Sequence, residues 1–338
     1  MKKPLAAPML ATAIASYVAT APAQDISTEP GWSGTVNIGA GAGQSETNML
    51  AAVSSIDLGD DRLDRLGEDA GSEDIAFPAL QFDIRYTLAN SRTQFYLRNQ
   101  PSPYVFVDLE ALGGIRQQVP GVGIVDLALS STTIATDVWK DPYLAGANRG
   151  DTERTTTGLH IGWQNIMDSA LSFQFSSKEV EIDDEDSGES VDLGLEERRL
   201  LERTGEVYRF HFAYAWQLAD NHRLTPAFSW LDYDLDGGAM AEDGFAVQID
   251  YSYQRERWRF LARAQYTGLD ADEDNPIFAE AADRDILGLS VAAFYESPFG
   301  LENWTANARA SWYDSDNDID FYDESLATVS VGMLYRFD

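Results

Sequence analysis

The eleven residues from Tyr208 to Leu218 limit the fold of this chain more tightly than any other stretch. Tyr208, Phe210, Phe212, Tyr214, Trp216 and Leu218 share one parity, and Arg209, His211, Ala213, Ala215 and Gln217 share the other. Alternation of this length has the period of a β-strand and excludes an amphipathic helix. One face is continuously aromatic and the other is small or polar. That division fits lipid on one side and a polar interior on the other, over the 9–11 residues needed to cross a bilayer as a strand.

The pattern recurs. Leu80, Phe82, Ile84, Tyr86 and Leu88 oppose Gln81, Asp83, Arg85 and Thr87. The runs beginning at Phe245, Trp258 and Trp304 alternate likewise, with aromatics near their ends as in the interfacial girdles of membrane barrels. A soluble β-sandwich also alternates, but it uses shorter strands and does not repeatedly set Arg opposite an aromatic face. Fourteen strands are expected, near 32–41, 79–89, 92–98, 105–117, 123–132, 154–164, 170–178, 207–218, 222–232, 244–254, 257–268, 286–295, 303–313 and 326–337. The third to fifth are the weakest, so twelve is the alternative. Short joins such as Asn90-Ser91, Pro120-Gly121 and Arg255-Glu256 alternate with long ones, as periplasmic turns alternate with outer loops. The expected fold is therefore all-β: one transmembrane antiparallel up-and-down barrel with long acidic extracellular loops and short periplasmic turns.

Export is consistent with the start of the chain. Met1-Lys2-Lys3, a mostly apolar stretch from Pro4 to Thr20 and Ala21-Pro22-Ala23 form a signal-peptide pattern, with the barrel occupying residues 24–338. No later segment reaches the apolar length of a transmembrane helix. The absence of cysteine excludes disulfides, thiolate metal sites and cysteine nucleophiles. A formal charge of −32 excludes nucleic acid as a partner, because phosphates would be repelled. That charge is concentrated. Connections 43–78, 178–206, 232–243, 269–285 and 314–324 hold 39 carboxylates against seven basic residues, and the rest of the chain balances.

Alternation of Ala327, Val329, Val331, Met333, Tyr335 and Phe337 makes a closing strand that resembles the signal read by the barrel-assembly machinery, although Asp338 follows the terminal aromatic. Pro30-Gly31-Trp32-Ser33-Gly34, the run Phe77 to Leu97, and the segment from Trp139 to Arg149 resemble an uncharacterised family of gammaproteobacterial outer-membrane proteins. The similarity covers most of the chain and is strongest before residue 180. It implies a signal peptide and a single barrel, and it brings no catalytic residue with it.

Chemistry could sit in three places. Arg85, Arg209, Arg259, Arg263, Arg309 and Arg336 have interior parity, as do Asp83, Asp126, Asp250 and His211, and charged rings in a pore tune what passes. Asp232, Asp234 and Asp236, followed by Gly237 and then Asp243, have the oxygen spacing of a calcium loop, although Asp243 stands where the motif expects Glu. The bland reading is a solvated acidic loop that attracts calcium or magnesium loosely and bridges to lipopolysaccharide. His160 and His211 lie on interior faces and His222 in a turn. None has a serine two residues away on its face, which weighs against a barrel hydrolase. The expected function is a passive porin-like channel for small hydrophilic solutes or ions. The alternative is a closed structural or surface-interaction barrel in outer-membrane lipid, with an enzyme third and no tightly bound cofactor.

Overall fold

The computed structural model describes residues 25–101 and 109–338; the expected signal peptide and the start of the fourth expected strand lie outside them. Fourteen antiparallel strands form the wall. They are β1 (Gly31–Glu46), β2 (Ser72–Leu88), β3 (Thr93–Pro101), β4 (Leu109–Val119), β5 (Gly123–Ile134, continued by Thr136–Trp139), β6 (Asp151–Gln164) and β7 (Leu171–Ile182). The rest are β8 (Gly205–Tyr214, continued by Trp216–Ala219), β9 (His222–Leu235), β10 (Glu242–Arg255), β11 (Trp258–Ala271), β12 (Arg284–Glu296), β13 (Trp304–Asn317) and β14 (Glu324–Phe337). Each pairs with its sequence neighbours. β1 also pairs with β14, from Gly34 opposite Phe337 to Glu46 opposite Ser325, which closes the sheet into a barrel. Closure satisfies every strand edge, the condition for crossing lipid with β-structure.

Parity places the side chains as the sequence implies. Ile38, Leu127, Phe212, Ile249, Leu289 and Val331 are exposed around the outer wall, and Asn37, Gln94, Asp126, His211, Gln248 and Asn307 are buried inside. Turns at one end are short. Arg92 and Glu256 take left-handed backbone there, at φ 52° and 53°, as tight hairpin reversals demand. Next to these turns the Ile26 amide donates to Gln118 Oε1 at 3.0 Å, Gln118 Nε2 donates to Asp25 Oδ1 at 2.7 Å, and Arg92 donates to the Ile26 carbonyl. The segment before β1 is thereby fastened to the short-turn end.

The strands run further at the opposite end than the sequence suggests. β2 starts at Ser72 instead of 79, β9 reaches Leu235, β11 reaches Ala271 and β13 reaches Asn317. The expected connections 232–243, 269–285 and 314–324 shrink to 236–241, 272–283 and 318–323, and 43–78 shrinks to 47–71. Much of the acid assigned to loops, including Asp74, Asp234, Asp270, Asp285 and Asp316, therefore projects from strands. The physical reason is an inversion of polarity at constant parity. On β9, Phe228 and Trp230 face out and Ser229 faces in; further along, Leu231 is buried inside and Asp234 is exposed outside. Above the membrane, water surrounds the wall, so the exterior turns acidic, and apolar side chains such as Ile75, Leu231 and Leu269 turn inward.

Candidate functional site: the lumen and its cap

Among the described residues the interior encloses a chamber of about 960 Å³. Among the described residues that line it, eleven are basic and seven acidic. Of the expected lumen residues, Asp83, Arg85, Asp126, Arg209, His211, Arg259, Arg263 and Arg336 line this space. Asp250 is buried beneath Arg263, accepting from its Nε at 2.6 Å and its Nη2 at 3.0 Å, while Gln248 Nε2 donates to it at 2.9 Å. Arg309 packs into the wall, with its guanidinium 5.6 Å from the centre of the Phe294 ring.

The charges fall into groups along the wall. On β2 to β5, Arg85 donates to both oxygens of Asp83, at 2.7 and 2.6 Å. Tyr96 lies directly across from Gly114, where a Cβ would meet its ring at 2.7 Å, so glycine makes room for the aromatic. The Tyr96 hydroxyl donates to Asp126 at 2.8 Å, and Arg98 and Arg116 sit 5.2 and 5.5 Å from its ring centre. On β11 to β13 a second ring plays the same part. Arg259 stands directly opposite Phe294 at 4.7 Å, and Arg309 approaches that ring from the next strand. Aromatic faces attract guanidinium without supplying a counter-charge, so these arginines are seated in the interior on rings. At the outer end of the polar wall, Lys178 forms a buried ion pair with Glu110.

Two features escaped the sequence reading. Arg98 and Arg116 belong to the weakly patterned third and fourth strands, and only the parity they share with Tyr96 and Asp126 could have exposed them. The other is a serine beside His211. Ser229, from the neighbouring strand and directly opposite, lies 2.8 Å from His211 Nδ1, and Arg209 donates to both groups. A search for serine on the histidine's own strand cannot find a partner across a ladder. Since Arg209 can only donate, the pair serves to hold its guanidinium against the wall.

A cap built from the long connections covers the outer end of the lumen. Leu63, Tyr143, Leu201, Ala239, Ile319, Phe321 and Tyr322 form its buried core, joined by Phe278, so that six connections contribute. The Tyr143 and Tyr322 hydroxyls are 2.6 Å apart, and Asn275 Nδ2 donates to Tyr322 at 2.6 Å. Burial raises the Tyr143 hydroxyl to about 12. The segment Trp139 to Arg149 is the centre of this assembly. Asp141 accepts the amides of Tyr143, Gly188 and Ser190 at 3.1, 3.0 and 2.8 Å, tying two connections together. Arg149 donates to the carbonyls of Asn48, Pro142 and Asp60 and stacks 4.3 Å from the Trp139 ring. Burial lowers its guanidinium to about 10. Arg203 Nε donates to Glu185 at 2.7 Å and its Nη2 to the Trp139 carbonyl at 2.8 Å. A short strand, Leu50–Val53, adds to the sheet beside Thr136–Trp139.

The expected calcium ligands do not gather in one loop. Asp232 and Asp234 lie within β9, Asp232 stands opposite Asp243 on β10, and Asp236 follows the strand end with its amide donating to the Thr204 carbonyl. Among the described residues, no group of three or more histidines or carboxylates is arranged to hold a metal ion.

A closed barrel with a belt of exposed apolar residues and a charged lumen defines a bacterial outer-membrane β-barrel protein with a channel-like fold. The chain belongs to the DUF2860 family, proteins of unknown function, whose model matches residues 31–336. No curated protein matches it. Solved structures similar to it include a FadL homologue from Pseudomonas aeruginosa, at 10% identity and TM-score 0.40 over 90% of this chain and 89% of that one. The outer-membrane channel DcaP of Acinetobacter baumannii is similar at 10% identity and TM-score 0.43, over 91% and 98%. A third is the CymD monoaromatic hydrocarbon channel, at 9% identity and TM-score 0.47, over 91% and 89%.

Proposed function

We propose that the protein is a passive channel for small hydrophilic solutes and that it prefers anions. The observation that carries this reading is the excess of basic over acidic side chains around the chamber, with arginines seated on aromatic faces. The acidic exterior pulls the other way, and screening decides between them. Exposed carboxylates fade over a Debye length of about 8 Å at physiological salt, whereas enclosed guanidinium groups are screened much less. A permeating ion is therefore sorted by the lumen and only mildly depleted at the mouth.

The test is the reversal potential of the refolded protein in a planar bilayer under a potassium chloride gradient. Chloride preference is expected, and replacing Arg116 and Arg259 together with alanine should move the potential towards zero. Potassium preference would sink the reading. So would a silent bilayer from folded protein, which would favour the closed barrel that the packed cap also suggests.

A further inference from the structure

We propose that the outer half of the chamber binds single-chain amphiphiles with a compact anionic head, such as an alkyl carboxylate. This rests on the anion-preferring lumen proposed above and names the solute class that the chamber would take. On the β7 to β9 side the lining is divided by height, and the division falls in one register band; across the space Arg284 pairs with Glu242, and Arg154 stands opposite Ile182. Ascending β7, Lys178 is followed on the interior face by Val180 and Ile182. Ascending β8, Arg209 gives way to Val207, and ascending β9 the buried Ser229 is followed on the interior face by Leu231, Tyr233 and Leu235. Those transitions are neighbours across the ladders: Ser176 is opposite Arg209, Lys178 opposite Val207, and Arg209 opposite Leu231. Cap residues Met240 and Tyr322 border the same space from above.

A polar collar under a vault that is apolar on its β7 to β9 side fits neither a hydrophilic ion nor a hydrocarbon alone. An inorganic anion would leave the vault facing water. A hydrocarbon would strip water from the arginines without replacing it. A carboxylate at the level of Arg209 with its chain directed towards the cap satisfies both halves. The whole chamber, at about 960 Å³, is within the range of sites that enclose a small ligand, about 300–1,000 Å³. Burial of a methylene is worth about 0.8 kcal/mol, so each added carbon should tighten binding about fourfold until the vault is full.

Equilibrium dialysis of labelled acetate, hexanoate, octanoate and 1-octanol against the protein in lipid nanodiscs, with empty nanodiscs as background, tests the site. Octanoate should be retained above background, acetate should not, and hexanoate should be held about an order of magnitude more weakly than octanoate. Arg209→Gln should weaken octanoate about tenfold and leave octanol unchanged, as loss of one charge-assisted contact predicts. Leu231→Ser should weaken both. Val207→Thr, nearly isosteric, should weaken both by a smaller factor if the serine variant fails to fold. Octanoate at background, acetate held as tightly as octanoate, or equal losses of octanol and octanoate in Arg209→Gln would each overturn the proposal. The same preparation is then read in the bilayer. Chloride-selective current without octanoate retention overturns this site alone, whereas retention without current overturns the channel reading and supports the site.

Discussion

The wall within the membrane and the cap above it obey opposite solvent rules, although the same strands run through both. On β11, Phe260 faces lipid while Arg259 and Arg263 face the lumen; a few residues on, Leu269 is buried inside and Asp270 is exposed outside. β12 does the same in reverse, with Asp285 outside and Ile286 inside before Leu287 and Leu289 meet lipid. A residue's side of the sheet is set by the pleat, but whether that side should be apolar is set by what surrounds it at that height. The chain is thus a membrane protein along its lower wall and a water-soluble protein at its top, with no domain boundary between them.

The sharpest way to break this comparison is to place arginine outside at the two heights. Ile249→Arg should cost about 2–4 kcal/mol near the bilayer midplane, whereas Asp234→Arg, also on the outer face, should change stability by no more than about 0.5 kcal/mol. Urea unfolding in lipid vesicles measures both, and equal costs would mean that the belt does not end where the polarity inverts. Next in size is Arg149→Ala. It leaves three carbonyls without their donor and uncovers Trp139, so about 2–4 kcal/mol of cap stability should be lost while the wall persists. Hydrogen exchange should quicken at residues 47–71 and 140–150 and stay slow in β9 to β13. Uniform quickening would show that cap and wall are a single cooperative unit.

The smallest effect concerns acidity. Asp137, beside the added strand Leu50–Val53, is raised to about 6, first by burial and then by Asp151 and Glu153. Its carboxyl ionises near 3.9 in an unfolded chain. A raised folded value means that the stabilisation is complete below about 3.9 and is lost as pH climbs through about 6. Amides of Ala51 to Val53, corrected for intrinsic exchange, should open more often at pH 8 than at pH 5. Asp137→Asn should remove that difference, and a pH dependence that survives the substitution would assign it elsewhere.

The strand count, the parity of each face and eight of the ten expected lumen residues around the chamber were legible because a two-residue period is local. The upper strand ends were not, because a reader who follows apolar residues outward meets Asp232, Asp270 and Asp314 and stops, though the strand continues with its polarity exchanged. Nor was the cap. Met240, Phe278 and Phe321 sit in hydrophobic runs of two or three residues flanked by acid, and only the closed barrel brings them together. The segment from Trp139 to Arg149 stood out as a motif, yet its partners Asn48, Asp60, Gly188 and Ser190 are scattered along the chain.

The joining of six connections over one mouth also sets an order in time. The Tyr143 and Tyr322 hydroxyls meet across 179 residues of sequence, and the Asn48 side chain reaches the carbonyl of Phe321 across 273. Such contacts wait for the loop-closure cost that only the first and last strands, by pairing, can offset. Loop-closure cost therefore favours forming the cap after the first and last strands have paired. A chain still missing its seam shows Leu63, Leu201 and Phe321 to whatever protease or chaperone inspects it; a sealed one has hidden them.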